Sequence, residues 1–207
     1  MTRKHTSGIR AGRPGATTRE AIIQAAIELV IEGGESALSF RKIAGKLGVS
    51  APSLYSYFED KQAILAALSS QLFHIDLKTE ARQTPRKQLE TLLCRIRNSL
   101  LQNSKLLFLL NKSLPAEQML KVLAALAEPV EKSGISHGQS IRHAQSLLWM
   151  VLGFSMFEYN SQQAVVVNRF LELNKKESDL LTHLELSNHD RLWKETLKRN
   201  LDGLIPA

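Results

Sequence analysis

The 207-residue sequence contains one cysteine, Cys94, and this scarcity excludes two kinds of architecture. A single thiol cannot form a disulfide framework within the chain or a multi-cysteine metal site, and it is typical of a reducing compartment. No segment reaches the roughly 18 uncharged apolar residues that a membrane span requires, and no such run follows the positive charges at the start. We therefore expect a soluble, cytoplasmic protein.

Common catalytic motifs are also absent. The sequence has no glycine-rich phosphate loop, no His-Glu-x-x-His and no paired carboxylates in an apolar context. Its histidines do not recur four apart as helical metal ligands would, although His74 or His143 could line a pocket. Cys94 is expected to be a packed or surface thiol rather than a nucleophile. We predict a protein that is not an enzyme and holds no cofactor or metal.

Acidic residues are missing from the first 19 positions, although the chain as a whole has 27 Lys and Arg against 20 Asp and Glu. Residues 1–15 are therefore predicted to form a basic arm. The step from Arg10 to Pro14 is extended and narrow, and arginine is attracted to a narrow minor groove, so Arg10 and Arg13 are candidate DNA contacts. The alternative, a solvated or tag-like tail, stays open.

Two short helices joined by a turn are predicted between Ser39 and Phe58. Apolar residues recur at helical spacing in the first helix, and Gly48 allows the backbone to reverse. Ser50 is a suitable N-cap for the second helix, where Pro52 in the first turn costs no helical hydrogen bond. This is the pattern of a helix-turn-helix, whose second helix enters the major groove of DNA.

The second helix carries more outward-facing residues than packing requires. Leu54 and Phe58 can face the core together, which leaves the following residues on or near the outer surface: Ala51, Ser53, Tyr55, Ser56 and Tyr57. The expected readers of base edges, Ala51, Pro52 and Ser53, are small. Specificity is then expected to depend on thymine methyl contacts, Arg41, the arm and DNA shape.

The same stretch resembles the tetracycline-repressor (TetR) family of bacterial regulators. The resemblance covers about Ala16 to Asp76 and is carried by Ser39, Ile43-Ala44, Gly48-Val49-Ser50, Leu54-Tyr55, Tyr57-Phe58, Lys61 and Ile64-Leu65. It implies an all-α fold, with a DNA-binding domain over residues 16–76 and a helical effector-binding and dimerisation domain over 77–207. The resemblance also implies that the protein is a homodimeric regulator of transcription.

The resemblance also implies DNA contacts. The family position of Arg41 reads DNA, and those of Tyr55 and Tyr57 contact its backbone or bases; a solvated arginine and packed tyrosines are the alternatives. Lys61 and the N-cap Ser39 lie at helix starts, where an adjacent phosphate is stabilised. The full predicted set is Arg10, Arg13, Ser39, Phe40, Arg41, Ser50, Ala51, Pro52, Ser53, Tyr55, Ser56, Tyr57 and Lys61.

Helix starts are predicted elsewhere from capping patterns. Thr17 and Glu20 form a capping box for the first helix, and Asp60 begins the fourth. Thr84-Pro85 is predicted to end one segment and begin the next helix after the first domain. The last helix is expected from about Asn188 to Asp202.

The C-terminal half is predicted to bind a small apolar effector and a second copy of the chain. The candidate lining residues are Phe108, Trp149, Phe154 and Phe157, although each could be core. Tetracycline itself is not expected, since Leu77 stands about where the family has a metal-binding histidine. Dimerisation is assigned to the helix from Ser136 and to an apolar stripe of the last helix that the chain end could bury only against another surface: Leu192, Trp193, Leu197 and Leu201.

The favoured function is a repressor that a small apolar effector releases from a palindromic operator. An architectural DNA-binding protein without a small ligand would share every feature of the N-terminal segment. An enzyme with an appended DNA reader would need a polar cluster in the C-terminal half, and the sequence offers none.

Overall fold

The computed structural model describes residues 17–113, 115–161, 185 and 188–205. These residues form helices and no strand, as the all-α prediction requires. The α-helices are α1 Arg19–Gly33, α2 Phe40–Leu47, α3 Ala51–Leu54, α4 Lys61–Gln71, α5 Pro85–Gln102, α6 Ala116–Lys132, α7 His137–Ser161 and α8 His189–Leu204. Short 3₁₀ segments span Glu35–Ala37 and Ser104–Asn111.

Contacts divide the chain into two units between Ile64 and Leu65, within α4. The sequence-based boundary after Asp76 lies beyond the end of this helix. Since a continuous helix runs across the division, no break in secondary structure marks it. Residues 1–15, the predicted arm, lie outside the described part of the chain.

Capping side chains begin five of the described α-helices, α2 among them. The α1 cap is Thr18, whose hydroxyl accepts a hydrogen bond from the Ala21 amide at 3.1 Å. The predicted Thr17 cap is therefore wrong by one residue, because Thr18 is the last extended residue before the helix. Three further starts are confirmed, with side-chain caps at Asp60, Thr84 and Asn188.

The core of the C-terminal unit lies among α5, α6 and α7, which pack against one another. Each helix supplies an apolar stripe at helical spacing to this core. The fully or almost fully buried residues are Leu89, Leu92, Leu93, Ile96 and Leu100 from α5, Val122, Leu126 and Val130 from α6, and Ala144, Leu147, Leu148 and Val151 from α7.

A buried ion network joins α5, α7 and α8. Arg97 is 7% exposed, and its Nε and Nη2 donate to the two carboxylate oxygens of Glu158 at 2.9 and 2.6 Å. Nη2 also donates to Asp190 at 2.7 Å. Burial opposes the guanidinium charge, but the hydrogen bonds to both carboxylates outweigh it and raise the pKa of Arg97. Arg97 thus fixes three helices that are distant in sequence.

The apolar stripe of α8 is buried within the chain itself. Trp193, Leu197 and Leu201 are 3%, 7% and 0% exposed, and Leu192 is partly buried. Phe154 packs edge-on against Trp193 with ring centroids 5.1 Å apart. The argument that the stripe needs a second chain to cover it is therefore wrong for Trp193, Leu197 and Leu201, and Phe154 of α7 and Arg97 of α5 lie against Trp193. The assignment of dimerisation to α8 stays a prediction.

We expect Glu158→Ala to lower the free energy of unfolding by about 3 kcal/mol, since it leaves a buried guanidinium without its bidentate partner. Asp190→Asn is the matched control. The Asp190 side chain is 75% exposed, so water replaces it and the loss is smaller. Urea denaturation of both variants measures the difference. Equal losses would show that Glu158 does not stabilise the network more than the exposed carboxylate does.

Candidate DNA-binding interface

The turn between α2 and α3 sets the direction of the second helix. Gly48 has φ 67° and ψ 28°, the left-handed conformation that glycine adopts without strain. The Val49 amide then donates to the Ala44 carbonyl at 3.0 Å, which closes the end of α2. At the other end of α2, the Ser39 hydroxyl accepts from the Lys42 amide at 3.3 Å, as expected of an N-cap.

The α3 helix is a single turn held by two buried side chains. Leu54 and Phe58 are 0% and 2% exposed, which confirms that they face the core together. Ser50 precedes α3 but does not cap it through its hydroxyl; its carbonyl accepts from the Ser53 amide and hydroxyl at 3.1 and 2.6 Å. The remaining predicted DNA-facing residues of this segment are exposed or partly exposed: Ala51, Pro52, Ser53, Tyr55, Ser56 and Tyr57.

An aromatic stack connects the start of α2 to the end of α3. The rings of Phe40 and Tyr55 lie 4.4 Å apart and are tilted by 7°. Tyr55 is nevertheless 56% exposed. The stack holds two predicted DNA contacts together at the first turn of α2, where the exposed Arg41 follows Phe40 in the sequence.

Tyr57 is held differently from Tyr55. Its hydroxyl donates to the Thr17 carbonyl in a short hydrogen bond. Its own carbonyl accepts from Arg19 Nη1 at 3.0 Å. The Arg19 guanidinium in turn lies 4.2 Å from the centroid of the buried Phe58 ring. These contacts attach the start of α1 to the end of the α3 segment.

Lys61 is fixed at the start of α4. Its ammonium donates to the Glu35 carbonyl at 3.2 Å and lies 3.9 Å from the Glu35 carboxylate, while 42% of the side chain stays exposed. These contacts hold the cation beside the α4 N-terminus, where helix amides also attract anions. The arrangement can present one phosphate with a charge and a set of N–H donors.

The lysines of α2 differ in their ion pairs with carboxylates. Lys46 bonds to Glu28 at 2.9 Å and Glu32 at 3.3 Å on α1, and the bond to Glu28 raises the Lys46 pKa and lowers that of Glu28. Lys42 is exposed in the same first turn as Arg41. Sequence reasoning missed Lys42, although two adjacent cations in the first turn of a helix were the available signal. Arg10 and Arg13 lie outside the described residues.

The predicted effector residues do not meet at one place. Trp149 and Phe157 are 60% and 51% exposed, and Phe154 packs on Trp193. The structure therefore does not bring these three side chains together, because Phe154 is held against Trp193 of α8 whereas Trp149 and Phe157 are exposed on another side of α7. Phe108 does line a cleft.

Clefts in the described part of the C-terminal unit include the following two. The first, about 250 Å³, is lined by Leu107, Phe108, Asn111, Met156, Tyr159 and Asn160. The second, about 320 Å³, is lined by Ser70, Gln71, Phe73, His74, Ile75, Leu77, Gln118 and Lys121. His74 therefore lines a cleft, as expected of one of the two candidate histidines, and the exposed His143 stays a prediction.

Within residues 17–113, 115–161, 185 and 188–205, no group of three or more His, Cys, Asp or Glu side chains is arranged to hold a metal ion. No helix in them is both long and apolar enough to span a bilayer.

Comparison with known proteins identifies the N-terminal segment. Residues 22–68 match the family model for bacterial regulatory proteins of the tetR family. The class C tetracycline repressor protein of Escherichia coli is 40% identical over 68 residues, which are 33% of this chain and 30% of the repressor. The match thus spans less than a third of that relative.

Two solved structures are similar over most of the chain. BioQ, crystallised with its natural double-stranded DNA operator, has a TM-score of 0.66 at 19% identity, covering 93% of this chain and 100% of BioQ. The Streptomyces coelicolor TetR family protein ActR in complex with (S)-DNPA has a TM-score of 0.72 at 18% identity, covering 93% and 98%. These likenesses establish the fold. The family match supports the TetR-family prediction for residues 22–68.

Proposed function

We propose that this chain, whose residues 22–68 form a TetR-family DNA-binding domain, regulates transcription by binding double-stranded DNA through α2, α3 and the start of α4. The observation that carries the proposal is the surface made by the exposed α3 residues, the Phe40–Tyr55 stack and the cations Arg41 and Lys61. Proteins of this family are DNA-binding regulators rather than enzymes, which agrees with the lack of catalytic motifs.

The proposed contacts are of two kinds, those to base edges and those to phosphates. The one-turn α3 enters the major groove, where its small residues approach base edges and thymine methyl groups. Arg41 reaches a guanine from the first turn of α2. Ser39 and Lys61 meet phosphates at the starts of α2 and α4, which sets the register of the protein on the DNA.

We further propose that the regulator is a repressor and that its effector occupies the 250 Å³ cleft around Phe108. Among the described residues its lining is apolar except for the amides of Asn111 and Asn160 and the Tyr159 hydroxyl, and none of these residues is charged. Such a lining favours a neutral, mostly apolar molecule that one or two hydrogen bonds orient. Differential binding to two conformations would then lower operator affinity.

A homodimer fits a palindromic operator, and α7 offers a face for it. Trp149 and Phe157 are exposed on one side of the helix, with Gly153 between them at four-residue intervals. A Cβ on Gly153 would meet no atom within 4 Å, so the space between the two aromatic rings is open. Two such faces related by a twofold axis would bury each other's aromatics, and a twofold pair of chains suits a palindromic operator.

Lys61→Ala is expected to weaken binding to all duplexes similarly and to reduce the slope of log affinity against log salt by about one unit, since it removes one phosphate contact. Arg41→Ala is expected instead to relax preference at one base position. Fluorescence anisotropy over a salt series and selection from randomised duplexes measure the two effects. Lys46→Ala is the control, because α1 carboxylates already hold that cation. An unchanged slope and affinity for Lys61→Ala would exclude the phosphate contact.

Trp149→Asp is expected to give monomers in sedimentation velocity and to lose operator binding, because it places a charge at the centre of the α7 face. Leu120→Asp is the matched control, since Leu120 is an apolar side chain about as exposed as Trp149, at 65%, but lies on α6. Circular dichroism checks that both variants stay folded. A folded Trp149→Asp variant that is still dimeric would place the interface elsewhere.

Neutral aromatic or aliphatic compounds that bind the Phe108 cleft are expected to raise Tm and to release DNA, with a coupling of about 1–3 kcal/mol. Phe108→Ala should remove both effects while DNA binding is retained, and Leu120→Ala should remove neither. A screen that finds no stabilising compound favours a DNA-binding protein without a small ligand. Full response in a stable Phe108→Ala variant would put the effector site in another place.

A further inference from the structure

We propose that Phe40 acts on DNA binding by holding the Tyr55 ring in place, and not by touching DNA itself. The proposal rests on the proposed DNA-binding function and replaces the direct contact that the sequence analysis predicted for Phe40. Its observation is the stack of the two rings, whose centroids lie 4.4 Å apart with a tilt of 7°. The stack joins the first residue of α2 to the residue that follows α3.

Phe40 has a fixed position because it opens a capped and anchored helix. The Ser39 hydroxyl accepts a hydrogen bond from the Lys42 amide at 3.3 Å, which fixes the first turn of α2. Ile43 and Ala44, in the next turn, are buried in the core. The Phe40 residue is itself partly buried. Its ring is therefore a platform whose place is set by α2.

The Tyr55 side chain has few other restraints. Its backbone is held, because the Tyr55 amide donates to the Pro52 carbonyl at 3.3 Å and the adjacent Leu54 is buried. Its side chain is mostly exposed, however, and its hydroxyl makes no hydrogen bond to any described residue. A tyrosine on a fixed backbone still turns between rotamers. The near-parallel stack on Phe40 is a favourable arrangement of two rings and selects one of them.

The available hydroxyl of Tyr55 makes this selection matter for DNA. A phenol O–H can donate to a phosphate oxygen, which only accepts hydrogen bonds. The Tyr57 hydroxyl differs, because it already donates to the Thr17 carbonyl. A Tyr55 ring that is ordered before DNA arrives loses less rotamer freedom when its hydroxyl meets a phosphate. Phe40 thus strengthens the Tyr55 contact by lowering its entropic cost.

A direct contact from Phe40 makes a different prediction. A phenylalanine on a thymine methyl group reads sequence, so its removal changes the base preferred at one position. A residue that acts through a phosphate contact changes the affinity for all sequences alike. Phe40 is partly buried and has Tyr55 against its ring, which favours the second role.

The test is a double-mutant cycle between Phe40→Leu, which removes the stack, and Tyr55→Phe, which keeps the ring and removes the hydroxyl. Affinity is measured by fluorescence anisotropy on a duplex selected from a randomised pool by the unmodified protein. Phe40→Leu alone is expected to weaken binding about 3- to 10-fold, as one hydrogen bond and one ordered side chain imply. Combined with Tyr55→Phe it should cause no further loss, since the hydroxyl that Phe40 positions is gone.

Two further variants control for packing. Phe40→Tyr keeps a ring against Tyr55 and should lose less affinity than Phe40→Leu. Phe40→Met fills a similar volume without a ring, so it repeats the cycle if Phe40→Leu lowers Tm. Selection from randomised duplexes by either ring-less variant should return the bases that the unmodified protein prefers.

Three outcomes would overturn the inference. Equal losses for Phe40→Leu with and without the Tyr55 hydroxyl would make Phe40 a direct contact, and so would a changed preference at one base position. No loss in either background would show that the stack has no part in DNA binding. Failure of the unmodified protein to select any duplex would contradict the proposed function itself, and it is distinguishable because it involves no variant.

Discussion

The burial of Leu54 and Phe58 is the contact on which the DNA-facing surface depends. A helix of one turn has no stability of its own, because nucleation costs more than a single turn of hydrogen bonds returns. The direction of α3 is therefore set by these two anchors and by the left-handed turn at Gly48. Everything exposed on the segment, including both tyrosines, takes its position from that arrangement.

The C-terminal unit depends on a different kind of contact. Its three central helices share an ordinary apolar core, whereas α8 is tied to them through Arg97, which bonds to Glu158 on α7 and Asp190 on α8. A buried ion pair adds little net stability compared with apolar residues of the same shape, but breaking it is costly. Such a contact specifies one arrangement of helices. It suits a domain that is proposed to switch between two defined conformations.

The sequence predicted the N-terminal unit well because local signals determine it. Apolar spacing, the Ser39 cap and Gly48 act within a few residues of one another, and the structure bears them out. The α8 stripe shows where this reasoning stops. Periodicity shows that Trp193, Leu197 and Leu201 must be covered, but it does not say whether the cover is the same chain or another.

Contacts between residues distant in sequence account for the other features that the sequence analysis did not predict. Arg97 and Glu158 are 61 residues apart, and Tyr57 and Thr17 are 40 apart, so no local pattern pairs them. The aromatic residues of α7 are similar in type, yet Trp149 is exposed and Phe154 packs on Trp193. Residue type alone does not decide between these environments.

Hydrogen exchange measured by mass spectrometry, with and without a selected duplex, tests the central claim most directly. If α2, α3 and the start of α4 form the DNA-binding surface, peptides covering residues 39–61 gain protection on DNA addition, beyond any change in the rest of the chain. DNA-dependent protection confined to residues after 65, with residues 39–61 unchanged, would contradict the account.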